Sequence, residues 1–450
     1  MQFPRATIHG ERIVDLTGHW TGIVSLVVFI IAYAFVVSEE FTHLRKSKPV
    51  MLAAGIIWAV IGIHYAQIGE HEALDEAVRE YLTEFAELFL FLLSAMTYVN
   101  TMSDRGVFDA LRSKLLSRDF GYRTLFWITG IISFFLSALI DNLTTALVMC
   151  AVILAVGRDN PRFVAIGCIN IVVAANAGGA FSPFGDITTL MVWQAGIVHF
   201  TEFFELFIPS AVNYLVPAVF MSFAIKNEAE KIDDEGIVMK RGAKRVILLF
   251  ALTIATAVCF HNFLHLPPFL GMVTGLSFLK IFGYYLRVTH KKFVANDQGE
   301  QSAGEVVPFD SFREVARAEW DTLLFFFGVI MSVGGLSFIG YLGHLSGFLY
   351  LQLGPTVANV LVGIMSSIVD NIPVMVAVLH MQPAMGLDQW LLVTLTAGVG
   401  GSLLSVGSAA GVALMGQARG KYTFFTHLRW TPAIALGYAA SIAVHLWLQQ

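Results

Sequence analysis

The chain has 450 residues, of which 56% are hydrophobic and 14% are charged. A soluble domain carries about 25% charged residues, so this composition predicts a membrane protein without a separate soluble domain. The net charge of −5 is spread along the chain without a basic or acidic block, which argues against a nucleic-acid partner. We therefore expect the lipid bilayer to surround most of the chain.

Apolar stretches long enough to cross a bilayer follow one another along the sequence. A window of about 20 residues predicts spans near 21–38, 49–67, 84–102, 204–225, 246–264, 267–287, 321–341 and 424–447. The N-terminus lacks the short basic region and apolar core of a cleavable signal. Residues 1–20 are therefore predicted to be an extracytoplasmic segment that precedes a retained first span.

Four further segments are apolar at both ends and polar in the middle: 124–156, 163–196, 354–383 and 388–417. Glycine and proline near the middle of the second segment, from Gly178 to Gly185, would break a helix. Broken backbone at membrane depth persists only where protein or a wet cavity satisfies its polar groups. These segments are therefore predicted to be interrupted, with their breaks facing the protein interior.

The distribution of lysine and arginine indicates how the segments run, because short cytoplasmic loops are enriched in both. The clusters are Arg45/Lys46/Lys48, 105–123, Arg158/Arg162, 226–245, 287–317 and Arg419/Lys421. A full crossing by 124–156 would put these clusters on both sides, whereas a hairpin with Asp141 near its tip puts all of them on one side. We predict hairpins over 124–156 and 354–383, ten spans, and both termini outside the cytoplasm.

The two halves of the chain repeat one pattern. The run from Ser137 to Thr144 matches the run from Ser366 to Pro373, and Gly178 to Gly185 matches Gly400 to Gly407. Span 84–102 is predicted to run inward, while its counterpart 321–341 runs outward, so the halves 21–225 and 246–450 are inverted repeats joined by a cytoplasmic connector, 226–245. The predicted fold class is an all-α membrane protein, an inverted-repeat secondary transporter with interrupted helices.

Polar side chains in the first half supply oxygen atoms, the ligands that a small hard cation such as Na⁺ or Li⁺ prefers. The candidates are Asp141, Asn142, Thr144, Thr145, Asn176, Ser182, Asp186, Thr188 and Thr189. The alternative is that these residues cap helices, as Asp, Asn, Ser and Thr commonly do. A carboxylate at the bilayer centre costs roughly 2.5–3.5 kcal/mol. A cap does not require that ionisable group, so ion binding is favoured for Asp141 and Asp186.

The second half has a different set of polar residues at the corresponding places: Ser366, Asp370, Asn371, Ser405 and Ser408. Asp186 is matched by Ser408, so a single asymmetric site is predicted rather than two equal ones. Glu87 and Asp321 lie just inside corresponding spans. These two acids are candidates either for a proton relay or for interfacial anchors.

The two Asp-Asn runs, with Ser182-Pro183-Phe184-Gly185-Asp186 between them, resemble the NhaD-type Na⁺/H⁺ antiporters of the ion transporter superfamily over about 84–417. The resemblance implies exchange of Na⁺ or Li⁺ for protons in a bacterial inner membrane, by a homodimer whose transport domain moves like an elevator. It implies that the acid, amide and hydroxyl positions named above carry the ions. No cofactor is expected beyond the transported Na⁺, Li⁺ and H⁺.

Other functions were weighed against this resemblance. Dicarboxylate and arsenite transporters of the superfamily share the inverted-repeat plan, but the carboxylate transporters resemble it with Ser-Asn-Thr at the hairpin tips, where this chain has Asp-Asn. An intramembrane aspartyl protease also uses two acids, usually in Tyr-Asp and Gly-x-Gly-Asp motifs. Here Asp186 follows Pro183-Phe184-Gly185, which lacks the first glycine. The chain is therefore predicted not to be an enzyme.

The predicted mechanism is competition between cation and protons for Asp141 and Asp186, with cytoplasmic Na⁺ exchanged for external protons. Either occupant neutralises the buried carboxylates, so that the loaded domain can cross the low-dielectric barrier. Bare carboxylates would prevent that crossing. Because protons compete less as their concentration falls, activity is expected to rise at alkaline pH.

Overall fold

We describe a computed structural model that covers residues 7–8, 11–12, 15–42, 44–118, 120–226, 237–296 and 311–450. Half of the predicted N-terminal segment 1–20, and residues 227–236 of the predicted connector, therefore lie outside the described residues. The remaining elements are given below in chain order.

The first half begins with a two-residue antiparallel pair, β1 (Thr7–Ile8) and β2 (Glu11–Arg12), in which Thr7 lies opposite Arg12. Its helices are α1 (Trp20–Val37), α2 (Glu39–Thr42), α3 (Ser47–Ile68), α4 (His71–Asp104), α5 (Val107–Leu116), α6 (Tyr122–Ser137), α7 (Asn142–Val156), α8 (Pro161–Gly179), α9 (Ile187–Gln194), a 3₁₀ turn (Glu202–Leu206) and α10 (Phe207–Phe223).

The second half consists of helices throughout its described residues. They are α11 (Ala243–Leu264), α12 (Pro268–Asn296), α13 (Ser311–Ala316), α14 (Trp320–Ile339), α15 (Tyr341–Ser346), a π-helical segment (Gly347–Gln352), α16 (Pro355–Met365), α17 (Asn371–Met381), α18 (Leu387–Gly400), a 3₁₀ turn (Ser405–Gly407), α19 (Ala409–Gln417), α20 (Phe424–Leu428) and α21 (Thr431–Leu448).

The predicted all-α membrane fold is confirmed, and within the described ranges nine helices are long and apolar enough to cross a membrane. Two predicted spans differ in extent. Span 84–102 is the second part of α4, which already starts at His71 and whose exposed first turns carry the Asp75–Arg79 ion pair. Span 424–447 is divided into α20 and α21, because Pro432 in the first turn of α21 favours a new helix start.

All four predicted interruptions are present. Non-helical residues separate α6 from α7, α8 from α9, α16 from α17 and α18 from α19. In each case the last residue of the break is the N-cap of the following helix: Asp141, Asp186, Asp370 and Ser408. The polar residues selected from the sequence are therefore the points at which broken helices restart.

The two halves interleave. The hairpin helix α7 packs against α19 of the second half, and α17 packs against α9 of the first half. In the same crossed manner α3 packs against α14, and α12 packs against α4. Each predicted hairpin therefore meets the interrupted helix of the other half.

Two matched glycines allow this packing. A Cβ at Gly178 would overlap the backbone carbonyl of Phe134 in α6, and a Cβ at Gly400 would overlap the backbone carbonyl of Gly363 in α16. Any larger residue would push the interrupted helix away from the first arm of its own hairpin. The glycine alignment seen in the sequence thus reflects the same close helix contact in both halves.

Candidate functional site

One cavity brings together the tips of both predicted hairpins and the break before α9. Its lining includes five of the predicted site residues: Asp141, Asn142, Asp186, Asp370 and Asn371. Apolar side chains of α4 and α11, including Phe91 and Phe250, form other parts of the wall. Polar residues more than 200 positions apart in the sequence therefore face one cavity inside the bundle.

Asp186 receives more hydrogen bonds than the other acids of this cavity. The amide Nδ2 of Asn371 lies 3.2 Å and 3.0 Å from its two carboxylate oxygens, and Nδ2 of Asn142 lies 3.1 Å from Oδ2. The backbone N–H of Thr188 donates to Oδ1 at 3.1 Å. A buried carboxylate requires such donors. Here they are neutral and come from both hairpins, so they hold the carboxylate without cancelling its charge.

The amide of Asn142 extends this network towards the second half. Its Nδ2 also donates to Oδ1 of Asn176 at 3.2 Å, and Nδ2 of Asn176 donates to Oγ of Ser402 at 2.9 Å. Ser402 was not selected from the sequence. Its counterpart in the first half is Ala180, so the repeat gave no signal for it.

Asp141 is an N-cap as well as part of the cavity lining. Its Oδ1 accepts a hydrogen bond of 2.8 Å from the backbone N–H of Thr144, which satisfies one free donor of α7. Asp141 therefore does cap a helix, as the alternative interpretation of the sequence predicted. Ion binding by the same carboxylate stays a prediction that its place in the cavity supports.

Asp370 occupies the matching place in the second hairpin but makes no capping bond. Its Oδ2 instead lies 2.6 Å from Nζ of Lys46, and its Oδ1 is buried without a hydrogen-bond partner. Lys46 also lies over the ring of Phe325, 4.3 Å from the ring centroid. The two hairpin tips thus hold the same residue type in different electrostatic surroundings.

Most of the predicted hydroxyl ligands bond to nearby backbone and hold the breaks in shape. These contacts are Thr145 Oγ1 to Ile140 O, Thr189 Oγ1 to Ser182 O, Ser366 Oγ to Ala397 O, Phe184 N to Ser182 Oγ and Gly411 N to Ser408 Oγ. Ser366 has a structural counterpart, since Ser137 Oγ donates to Ala175 O in the first half. By contrast, Thr188 Oγ1 and Ser405 Oγ are buried and unpartnered.

The two candidate relay acids lie outside the lining of this cavity. Asp321 accepts a hydrogen bond from Oγ of Ser47, and Glu87 is half-buried on α4. A different acid, Glu319, does line the cavity, and its carboxylate accepts a hydrogen bond of 3.1 Å from Thr322. A transport role for Glu87 and Asp321 stays a prediction.

Lys46 and Glu319 are the charged residues of the cavity that sequence reasoning missed. Lys46 was grouped with Arg45 and Lys48 in a basic cluster, and nothing in that local pattern distinguishes it. Its carboxylate partner is 324 positions away. Only packing could bring the pair together.

Acidic groups outnumber basic groups in the lining of the cavity. Its lining carries four carboxyl groups, those of Asp141, Asp186, Glu319 and Asp370, and one ammonium group, that of Lys46. Within the part of the chain that the structure describes, no three His, Cys, Asp or Glu side chains converge closely enough to hold a metal ion. The arrangement is therefore an acidic cavity with largely apolar walls.

The known proteins that this chain resembles are described as transporters or antiporters. A family model described as citrate transporter matches residues 19–400. The chain is 58% identical to the Na⁺/H⁺ antiporter NhaD of Vibrio cholerae over 444 residues, 96% of this chain and 93% of that protein. It is 57% identical to the NhaD of Alkalimonas amylolytica, with 96% and 92% covered. It is also 32% identical to sodium/proton antiporter 1 of Arabidopsis thaliana, with 93% and 71% covered.

Proposed function

The chain belongs to the NhaD-type Na⁺/H⁺ antiporter family, and from that membership and its acidic cavity we propose that it exchanges Na⁺ or Li⁺ for protons. The observation that carries the proposal is the environment of Asp186, a buried carboxylate held by neutral amides from both hairpins. The relatives are transporters, and the aspartyl protease considered from the sequence is set aside.

The charge of the cavity favours a cation over an organic anion. A citrate or dicarboxylate molecule would enter a space with four carboxyl groups, and the one ammonium group there is already paired with Asp370. Like charges in a space of low dielectric repel strongly. The description of the matching family model as a citrate transporter is therefore outweighed by the chemistry of this chain's own residues.

The proposed cycle uses competition at Asp141 and Asp186. Na⁺ or protons neutralise these carboxylates in turn, and only the neutralised form moves the site across the membrane by alternating access. Asn142 and Asn371 keep Asp186 in place through their amide N–H groups, while Thr188 and Ser405 offer free hydroxyls close to the breaks. We extend the proposal to an elevator-like movement of the hairpins, a homodimer, and exchange of cytoplasmic Na⁺ for external protons.

The same proposal includes a place in the cell. A bacterial inner membrane, with the basic clusters on the cytoplasmic side and both termini outside, fits the distribution of lysine and arginine. No cofactor enters the proposed cycle, whose partners are the transported ions and the bilayer.

Everted membrane vesicles with an acidic interior test the function directly. Na⁺, Li⁺, K⁺, citrate or a dicarboxylate is added outside, and the internal pH is followed with a fluorescent dye. We expect Na⁺ and Li⁺ to raise the internal pH and the carboxylates to leave it unchanged. A pH change driven by citrate alone would replace the antiporter proposal with carboxylate transport.

A further inference from the structure

Lys46 forms an ion pair inside the acidic cavity. Its Nζ lies 2.6 Å from Oδ2 of Asp370, and the two side chains are only 18% and 13% exposed. Asp141 and Asp186 line the same cavity. The proposed competition at Asp141 and Asp186 does not involve this lysine.

The ion pair uses only one of the two carboxylate oxygens of Asp370. One carboxylate oxygen faces the lysine ammonium, while Oδ1 is buried and has no hydrogen-bond partner. Asp141, at the matching tip, is bonded instead to a neutral backbone N–H. The carboxylate at the tip of the second hairpin is therefore already paired with a positive charge, that of Lys46, in a cavity that would attract a transported cation.

Na⁺ and the lysine ammonium carry the same charge, and both are attracted to the carboxylates of this one cavity. Two cations around Asp370 repel each other in a cavity with little water. Entry of Na⁺ is therefore opposed by Lys46 unless the ammonium moves away. A lysine can do this, because its charge sits on a flexible four-carbon stem.

The ion pair also joins two parts of the bundle. Lys46 precedes α3, which packs against α14, and the neighbouring Ser47 bonds to Asp321 at the start of α14. Asp370 precedes α17, which packs against the interrupted helix α9. Because α17 also packs directly against α14, breaking the pair would weaken the link between the second hairpin and the α3–α14 pair without abolishing it.

We propose that Lys46 is a tethered competitor of the transported cation: it neutralises Asp370 in the empty site, is displaced when Na⁺ binds, and thereby sets the apparent cation affinity. Its displacement removes the ion pair between the tip of the second hairpin and the start of α3. This inference rests on the proposed cation exchange. It makes Lys46 a residue that sets the affinity for the cation and not a direct ligand of the ion.

The test compares three variants of the full chain in proteoliposomes. Lys46→Gln removes the competing charge, Lys46→Arg keeps it, and Lys48→Gln is the matched control, since Lys48 is exposed two positions away. We expect Lys46→Gln to lower the KM for Na⁺ by about fivefold or more, in the range of ordinary coupling between sites. The maximum rate should fall at the same time, because release of the cation slows. Lys46→Arg and Lys48→Gln should keep the unmodified KM.

A binding readout separates competition from a merely structural role. In detergent, added NaCl should raise the Tm of Lys46→Gln more than the Tm of the unmodified chain, with choline chloride as the ionic-strength control. Loss of the buried pair lowers the Tm in either case, so the distinguishing signs of a merely structural defect are a raised KM and no larger NaCl-induced rise in Tm. An unchanged or raised KM in folded Lys46→Gln overturns the proposal.

If Lys46→Gln folds poorly, a second variant allows the positive charge at position 46 to be restored chemically. Lys46→Cys, in a chain whose three native cysteines are replaced, is measured before and after reaction with aminoethyl methanethiosulfonate, which restores an ammonium group. We expect KM for Na⁺ to be low before the reaction and to rise after it. An unchanged KM contradicts the role of Lys46, whereas absence of Na⁺-driven proton movement in the unmodified chain contradicts the antiporter proposal itself.

Discussion

The two hairpin tips carry the same Asp-Asn sequence and hold it in different ways. Asp141 caps its own helix through the backbone of Thr144, while Asp370 makes no capping bond and pairs with Lys46. The two asparagines behave alike, since both donate to Asp186. The comparison shows that a duplicated motif can keep one shared contact while its charged residue acquires a separate partner.

The breaks before α9 and α19 also have matching positions with different hydrogen-bond partners. Asp186 accepts hydrogen bonds from both hairpins, whereas Ser408 at the matching position accepts one bond from Gly411 N at 3.2 Å. The charge of the first half is thus held by amides of both halves.

Removing the charge of the first half should stop transport. We expect Asp186→Asn and Asp141→Asn each to abolish Na⁺-driven proton movement in everted vesicles, because the amide keeps the shape and loses the exchangeable charge. Asp159→Asn, in an exposed loop, is the matched control and should transport normally. Normal exchange by both site variants would move the essential acids to Asp370 and Glu87.

Removing the charge of the second half should weaken both transport and stability. Asp370→Asn leaves the Lys46 ammonium buried without its carboxylate, and breaking a buried pair in this way costs about 3–5 kcal/mol. We expect a lower Tm in detergent and slower exchange. The double variant Lys46→Gln/Asp370→Asn should recover part of the Tm. No recovery would show that the two residues are not energetically coupled.

Removing the amides tests whether both hairpins hold Asp186. A hydrogen bond to a charged group is worth about 1.5–3 kcal/mol, so Asn371→Ala and Asn142→Ala should each raise KM for Na⁺ by roughly tenfold or more. Asn371 reaches both carboxylate oxygens and Asn142 reaches one, so the Asn371 variant should be the more affected. Equal KM values for both variants and the unmodified chain would count against the shared contact.

Removing the hydroxyls of the second half should have a small effect. Ser405→Ala and Ser408→Ala each lose one neutral group, worth about 0.5–1.5 kcal/mol, or a few-fold to tenfold in affinity. Transport at saturating Na⁺ should survive in both. A serine variant that is inactive at every Na⁺ concentration, beside an active Asp370→Asn, would place the essential chemistry in the second half.

The hairpin topology on which the comparison depends can be probed without disturbing transport. Arg118 and Arg162 are exposed near the two ends of the first predicted hairpin. Single cysteines there should leave exchange unchanged and react with a membrane-impermeant reagent from the same, cytoplasmic, face. Labelling from opposite faces would mean that 124–156 crosses the membrane.

Much of this protein could be predicted from local patterns. Apolar length fixes where helices can cross a bilayer, and glycine, proline and capping residues fix where they break. The breaks ending at Asp141, Asp186, Asp370 and Ser408 were therefore located from the sequence. The repeat also indicated that the two halves would not carry equal charge.

Only the tertiary structure decided which partner each polar group has. The amide N–H groups of Asn142 and Asn371 bond to Asp186, although both residues were selected for their oxygens. Ser366 bonds to backbone in the same way as Ser137, and Lys46 pairs with a carboxylate 324 positions away. Hydrophobicity and helix breaking depend on near neighbours in the chain, whereas a buried charge is stabilised by whichever donor the packing of distant helices brings within hydrogen-bond distance.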